Sequence, residues 1–419
     1  MKNTTILRCG RTLLGGALAL GISVTAITQV FAEDAAMDVP VYEGVEALDS
    51  IKLTYAQYSA AAQSPHVQAF ADYVNKASGG KIEIEVFWAS ALMSASESAK
   101  GIAAGLADLG SALPVYTPAD FPVTNWLNAL SNQFPPGQPY GKLVSGGANS
   151  EFHVLNDDVR REYDKNGLHI LGAAGGAAYD MMCNKPVADL EQAKGKRVRS
   201  PNQAFAREVE ALGMVAVPIV ISEVYEAYSR GIIDCVILYP WGYNSYGLTG
   251  VGGDNYWIRI PLSGWMATLA LVNKGVWDGL PPVAQRILTD GYATLLEVDA
   301  AQTLAGTVKF GDSVREGKVQ VLEISDDMMA ALKAHQAKIV AELAANAPEG
   351  VTDPQQAIDQ FMELMKKWSD IVSNDLGIPA ESADANEVND AWHEDHTAEL
   401  RAYQQRVSKE LAAAYAAAE

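Results

Sequence analysis

The sequence predicts an α/β protein of two lobes, with an interdomain cleft between them and a helical C-terminal tail. Three observations carry this expectation. Short runs that alternate apolar and polar residues are interleaved with helical patterns between about residues 51 and 238. At 419 residues the chain is long enough for two separate cores. Beyond about residue 326 the strand-like runs stop and only helical patterns remain.

The elements follow in order. Lys2, Arg8 and Arg11 open the chain, an apolar run extends from Thr12 to Val30, and Val30-Phe31-Ala32 offers small residues at both positions a signal peptidase reads. This is the three-part pattern of a secretory signal peptide over residues 1–32. A membrane anchor is the alternative, but the run is marginal in length and rich in Gly and Thr. Cys9 precedes the apolar run, so it cannot become a lipidated first residue. No later segment holds 18 uninterrupted apolar residues, so a soluble, exported mature chain of about 387 residues is expected.

Ile51-Lys52-Leu53-Thr54-Tyr55 alternates as a half-buried strand does. Ser64-Pro65 is set to open a helix with Ser as its cap, Val67, Phe70, Ala71 and Val74 as its apolar stripe and Gly79-Gly80 as its stop. Lys81 to Phe87 alternates again and completes a βαβ unit. A helix near 95–106 and a short strand over 108–113 follow. A second set of strands is predicted at 169–171, 178–183, 197–199, 215–217 and 232–238. The last of these is almost wholly apolar, as a parallel strand covered on both faces would be. Residues 222–230 read as a helix closed by Gly231, and 281–316 as mostly helical. The final helix, 387–419, carries Trp392, Leu400, Tyr403, Val407, Leu411 and Tyr415 as a narrow stripe. Its own lobe is the expected cover, and a homodimer through this helix is the alternative.

Composition removes some functions. The formal charge is −20, and loss of the three basic residues in 1–32 takes it to −23. Nucleic acid needs a basic face and is excluded as a partner. Two cysteines remain after export, Cys183 and Cys235. Export permits a disulfide, but both lie in apolar runs where a free thiol is commonly a small buried residue. The pairing is open at this level, with free thiols preferred. His393 and His396 stand three apart on the last helix, a spacing that fits a solvated polar face better than a metal site. There is no GxSxG, no P-loop and no GxGxxG that opens a helix after a strand. Gly172-Ala173-Ala174-Gly175-Gly176 runs on into a strand-like segment and reads as an interdomain crossing. No catalytic residue, metal or cofactor is expected.

A series of motifs resembles one family. Asn184 to Leu190, then Lys194-Gly195-Lys196-Arg197-Val198-Arg199-Ser200-Pro201-Asn202, is similar to the strand–turn–helix segment of the solute-binding proteins of tripartite ATP-independent periplasmic (TRAP) transporters, the DctP type. The gap before Gly195 is longer than in the family, and Arg197 replaces its Lys. Leu212 to Pro218, Ser222 to Tyr228 with Gly231-Ile232-Ile233-Asp234, Gly101 to Asp108, and Val272-Asn273-Lys274 with Trp277 and Leu280-Pro281 follow the family order over about 50–325. The resemblance implies a periplasmic-binding-protein-like fold whose lobes close on a carboxylate and deliver it to TRAP membrane permease subunits. In that arrangement lobe I spans 33–176 plus about 266–306, and lobe II spans 177–265 plus about 307–386.

The resemblance also implies that Arg199 pairs with the ligand's carboxylate, and that Asn202 makes a second polar contact. A guanidinium stays charged and offers two parallel donors to a carboxylate, which suits that role. Arg197 and Arg230 are equally good candidates on residue type alone. Other positions where relatives are polar are here aromatic or apolar: Tyr179 before Asn184, Tyr239 and Trp241 after Asp234, and Trp88 after the second strand. Fewer buried donors relax the demand for polar groups on the ligand. The expected ligand is therefore a monocarboxylate with an apolar or aromatic body, with a four-carbon dicarboxylate as the family default. A binding subunit of an ATP-driven importer and an exported sensory protein share the same architecture and are the other readings.

Overall fold

The computed structural model describes residues 39–251, 253–380 and 395–418. The signal-peptide pattern, Trp392 and His393 lie outside these residues.

Among the described residues twelve strands form two mixed sheets. The first sheet holds β1 (Ile51–Ala56), β2 (Ile82–Phe87), β3 (Leu109–Ala112), β4 (Leu168–Ile170), β5 (Ala174–Gly175) and β11 (Met266–Asn273). Its order is β2-β1-β3-β11-β4, with β5 also on β11. The second holds β6 (Tyr179–Cys183), β7 (Arg197–Arg199), β8 (Val215–Val217), β9 (Cys235–Leu238), β10 (Tyr256–Leu262) and β12 (Gln320–Glu323), ordered β12-β10-β6-β9-β7-β8. Each sheet thus takes strands from distant parts of the chain, and the connections between them pass three times.

Helices cover both sheets. Early in the chain come α1 (Pro65–Ala77), α2 (Ser98–Ala103), α3 (Pro122–Leu127), α4 (Tyr140–Leu155) and α5 (Asp157–Lys165). Around the second sheet lie α6 (Leu190–Ala193), α7 (Gln203–Ala211), α8 (Val224–Ser229) and α9 (Pro240–Ser245). Then follow α10 (Lys274–Gly279), α11 (Pro282–Arg315), α12 (Asp326–Leu343), α13 (Pro354–Asp370) and α14 (Thr397–Ala418).

The first βαβ unit forms as its sequence pattern predicts. β1 and β2 pair in parallel from Ile51–Ile82 to Ala56–Phe87, and Val67, Phe70, Ala71 and Val74 of α1 are buried. Ser64 precedes α1, but its side chain makes no capping bond. Gly79 and Gly80 end the helix with φ of 62° and 82°, in the left-handed region that glycine occupies without steric cost.

Two expectations are corrected in the second sheet. β9 is fully buried, yet it is parallel only to β7 and antiparallel to β6. Burial on both faces, rather than parallel pairing, accounts for its continuous apolar run. Cys183 and Cys235 are direct ladder partners across β6 and β9 and form a disulfide, so they are not free thiols.

The glycine-rich segment at 172–176 is a crossing between the sheets. It carries β5 and leads through Gly176-Ala177-Ala178 to β6, while Ser263-Gly264-Trp265 returns the chain from β10 to β11. The two crossings lie in contact. A Cβ added to Gly176 would stand 2.4 Å from Trp265 Nε1, so only glycine fits there. The third connection is α11, which packs on α1 at one level and on α9 at another, and whose Phe310 enters the second core.

The C-terminal stripe is covered by the chain itself. Leu400, Tyr403, Val407 and Leu411 are buried, and α14 packs on α4 and α11. Tyr415 donates to the Ile170 carbonyl at 2.6 Å. These four residues of the stripe are thus covered within the chain. Among the described residues no helix is long and apolar enough to cross a membrane.

Candidate functional site

Carboxyl ends of strands from both sheets, with the amino end of β6, converge on a cavity of about 120 Å³. Gln57, Tyr58 and Ser59 follow β1, and Leu113, Val115 and Tyr116 follow β3. From the second sheet come Tyr179 on β6, Arg199 at the end of β7, and Tyr239 and Trp241 after β9. α11 contributes Asp299 and Gln302, and α1 contributes His66.

The structure separates the three candidate arginines. Arg197 opens β7 at the surface and grips Asp234 with Nε–Oδ2 2.9 Å and Nη2–Oδ1 2.7 Å. Arg230 pairs with Glu226 on an exposed helix face. Arg199, only 3 % exposed, points into the cavity. Its Nε donates to the Ile219 carbonyl and its Nη1 to the Ile237 carbonyl, both at 3.1 Å. These bonds fix the plane of the guanidinium and use two of its five donors. Burial pulls its pKa below the usual value, opposed by Tyr116, Tyr179 and Tyr246 around it. Among the described residues no carboxylate forms an ion pair with it.

Asn202 lines the same cavity, but its Oδ1 accepts from the Phe205 backbone N–H at 3.1 Å and caps α7. Only its amide nitrogen remains for a ligand. Tyr179, Tyr239 and Trp241 form a continuous aromatic wall. Phe205 stacks on Tyr179 at 5.3 Å between centroids, Tyr239 follows at 4.9 Å, and Trp241 stacks on Tyr239 at 5.6 Å. Burial pushes the Tyr179 and Tyr239 hydroxyls well above their usual pKa, so both remain protonated. Trp88 is half-buried after β2 and is not among the cavity-lining residues.

Sequence reasoning missed a charged cluster on the opposite wall. Lys142 of α4 and Asp299 of α11 form a buried ion pair. Lys142 also lies 5.3 Å from the centroid of the Trp265 ring. His66 Nδ1 is 3.3 Å from Gln302 Oε1 and 3.9 Å from Asp299 Oδ1. Burial lowers the His66 pKa against the pull of Asp299, so its ring is neutral near pH 7. A signal for Lys142 did exist, because it is the lone charged residue between Asp120 and Glu151. Its partner lies more than 150 positions away, and no local pattern names it.

A fixed guanidinium, an aromatic wall and hydroxyl donors can orient an anion. Among the described residues no cluster of three His, Cys, Asp or Glu could hold a metal ion.

Comparison with known proteins places these features. The family model for bacterial extracellular solute-binding protein, family 7, matches residues 58–347. A TRAP solute-binding protein from a marine metagenome, specific for aromatic acids and solved with 3-hydroxybenzoate, aligns at TM-score 0.64 and 18 % identity over 77 % of this chain and 99 % of its own. A second marine-metagenome TRAP protein, solved with pyroglutamate, aligns at 0.63 and 19 % over 75 % and 100 %. The periplasmic ectoine-binding protein of a TRAP transporter from Halomonas elongata aligns at 0.63 and 18 % over 75 % and 99 %. At these identities the likeness shows a shared two-lobed fold.

Proposed function

We propose, because this chain belongs to family 7 of the bacterial extracellular solute-binding proteins, that its cavity captures a small organic monocarboxylate with an apolar or aromatic body. The loaded protein then hands that solute to the membrane permease of a TRAP transporter.

One observation carries the ligand class. Arg199 is a buried guanidinium, held by two backbone carbonyls, that faces the cavity without a carboxylate partner. An unpaired buried charge is costly, and an incoming carboxylate offsets that cost. The charge balance supports a single carboxylate. Lys142 neutralises Asp299, His66 is neutral, and Arg199 is the one Lys or Arg among the described lining residues. A dicarboxylate would leave its second charge without a cation. The aromatic wall of Tyr179, Tyr239 and Trp241 supports a flat or apolar body.

A thermal-shift screen of organic acids tests this. Binding at 100 times Kd adds about 2.7 kcal/mol of stability. 3-Hydroxybenzoate, pyroglutamate and similar monocarboxylates are expected to raise Tm, and succinate to leave it unchanged. A shift with succinate alone would contradict the monocarboxylate reading, and no shift with any acid would contradict carboxylate capture.

A further inference from the structure

We propose that Asp299 is a ligand contact opposite Arg199, and that the solute therefore carries a hydroxyl or N–H donor in addition to its carboxylate. This inference rests on the carboxylate reading of Arg199.

Asp299 lines the cavity and is 8 % exposed. Lys142 meets its Oδ2. Lys142 is itself 3 % exposed and does not line the cavity, so it holds the carboxylate from behind. The contact with the Trp265 ring fixes the ammonium in turn. The other oxygen, Oδ1, faces a different situation. His66 Nδ1 stands 3.9 Å from it, outside hydrogen-bond range. That nitrogen is 3.3 Å from Gln302 Oε1, so its proton goes to Gln302. No described residue donates to Oδ1.

A carboxylate oxygen that faces the cavity and takes no hydrogen bond from the described residues is open to a donor on a bound solute. A neutral site wall would have sufficed for an apolar ligand. A carboxylate acceptor, backed by the Lys142 ammonium, instead selects for a ligand that donates. A site built to hydrogen-bond a ligand group discriminates strongly against analogues that lack it.

Two matched pairs of acids test this by isothermal titration: 3-hydroxybenzoate against benzoate, and pyroglutamate against cyclopentanecarboxylate. Wild-type protein is expected to bind the donor-bearing member of at least one pair about tenfold or more tighter. Asp299→Asn should narrow that gap. A Lys142→Met/Asp299→Leu double variant removes both charges at similar volume, should fold, and should abolish the gap. Arg199→Lys should weaken both members of the pair alike and leave the gap in place. Equal wild-type affinity within both pairs, or a gap that survives in the double variant, overturns the role of Asp299. If none of the four acids binds wild-type protein, the carboxylate reading falls and this inference falls with it.

Discussion

Arg197 and Arg199 show what one residue's sequence position can and cannot say. They are two apart on β7 and so share a face of the strand. What separates them is their place along it. Arg197 begins the strand beside Asp234, and Arg199 ends it at the cavity. Motif position singled out Arg199, and alternation alone could not have done so. Trp88 lies outside the cavity lining for a related reason. It follows β2, an edge strand, whereas the cavity is built by residues that follow β1 and β3 nearer the centre. Strand order is not legible in one sequence. For this residue pair the expected outcome is specific. Arg199→Lys keeps the charge but loses the fork, and should weaken binding by roughly 2–5 kcal/mol. Arg197→Lys, a surface change, should leave affinity within about twofold. Titration of both variants with the best acid from the screen decides this, and near-wild-type affinity in Arg199→Lys would remove it from the site.

Elements with a clear period were legible, and those without one were not. α1, β1, β2 and α11 follow their apolar patterns closely. α4 did not announce itself, because almost every residue in it is buried and it carries Gly141, Gly146 and Gly147. A helix buried all round has no polar face to set a 3.6 period. β10 and β11 were missed as well. Ala267 aside, β11 is buried along nearly its whole length, which erases the alternation of a half-exposed strand. The stripe on α14 was legible as a stripe, and the structure supplies its cover. Leu400, Tyr403, Val407 and Leu411 each bury a side chain worth about 1.5–3 kcal/mol. Deletion of residues 395–419 should therefore lower Tm sharply while light scattering finds a monomer with or without the helix. A full-length dimer that becomes a monomer on truncation would contradict this packing.

At the scale of the whole molecule, two sheets are joined at crossings that adjoin the cavity, and one buried acid fastens a crossing. Glu208 of α7 accepts from the Ser263 backbone N–H at 2.9 Å and from the Ser263 hydroxyl at 2.9 Å, and Gln336 of α12 donates to it at 2.7 Å. Burial pushes its pKa up to about 7, although these bonds pull the other way. An unfolded Glu titrates near 4.3. The folded state thus holds this proton more firmly, and the stability it lends is complete below about pH 4.3 and is lost as pH rises through 7. Glu208→Gln cannot titrate, so its Tm relative to wild type should climb between pH 5 and pH 8. A difference that stays constant across that range would show that Glu208 is not protonated in the fold.

The central claim is that the cavity recognises a carboxylate through Arg199. Isothermal titration of wild-type protein with the strongest acid from the screen, and with the primary amide of that same acid, tests it most directly. The amide keeps the shape of the acid and removes the charge that the guanidinium would meet. The acid should bind at least about a hundredfold tighter, because a buried bidentate ion pair becomes an unpaired buried cation. Equal affinity for acid and amide would contradict the account.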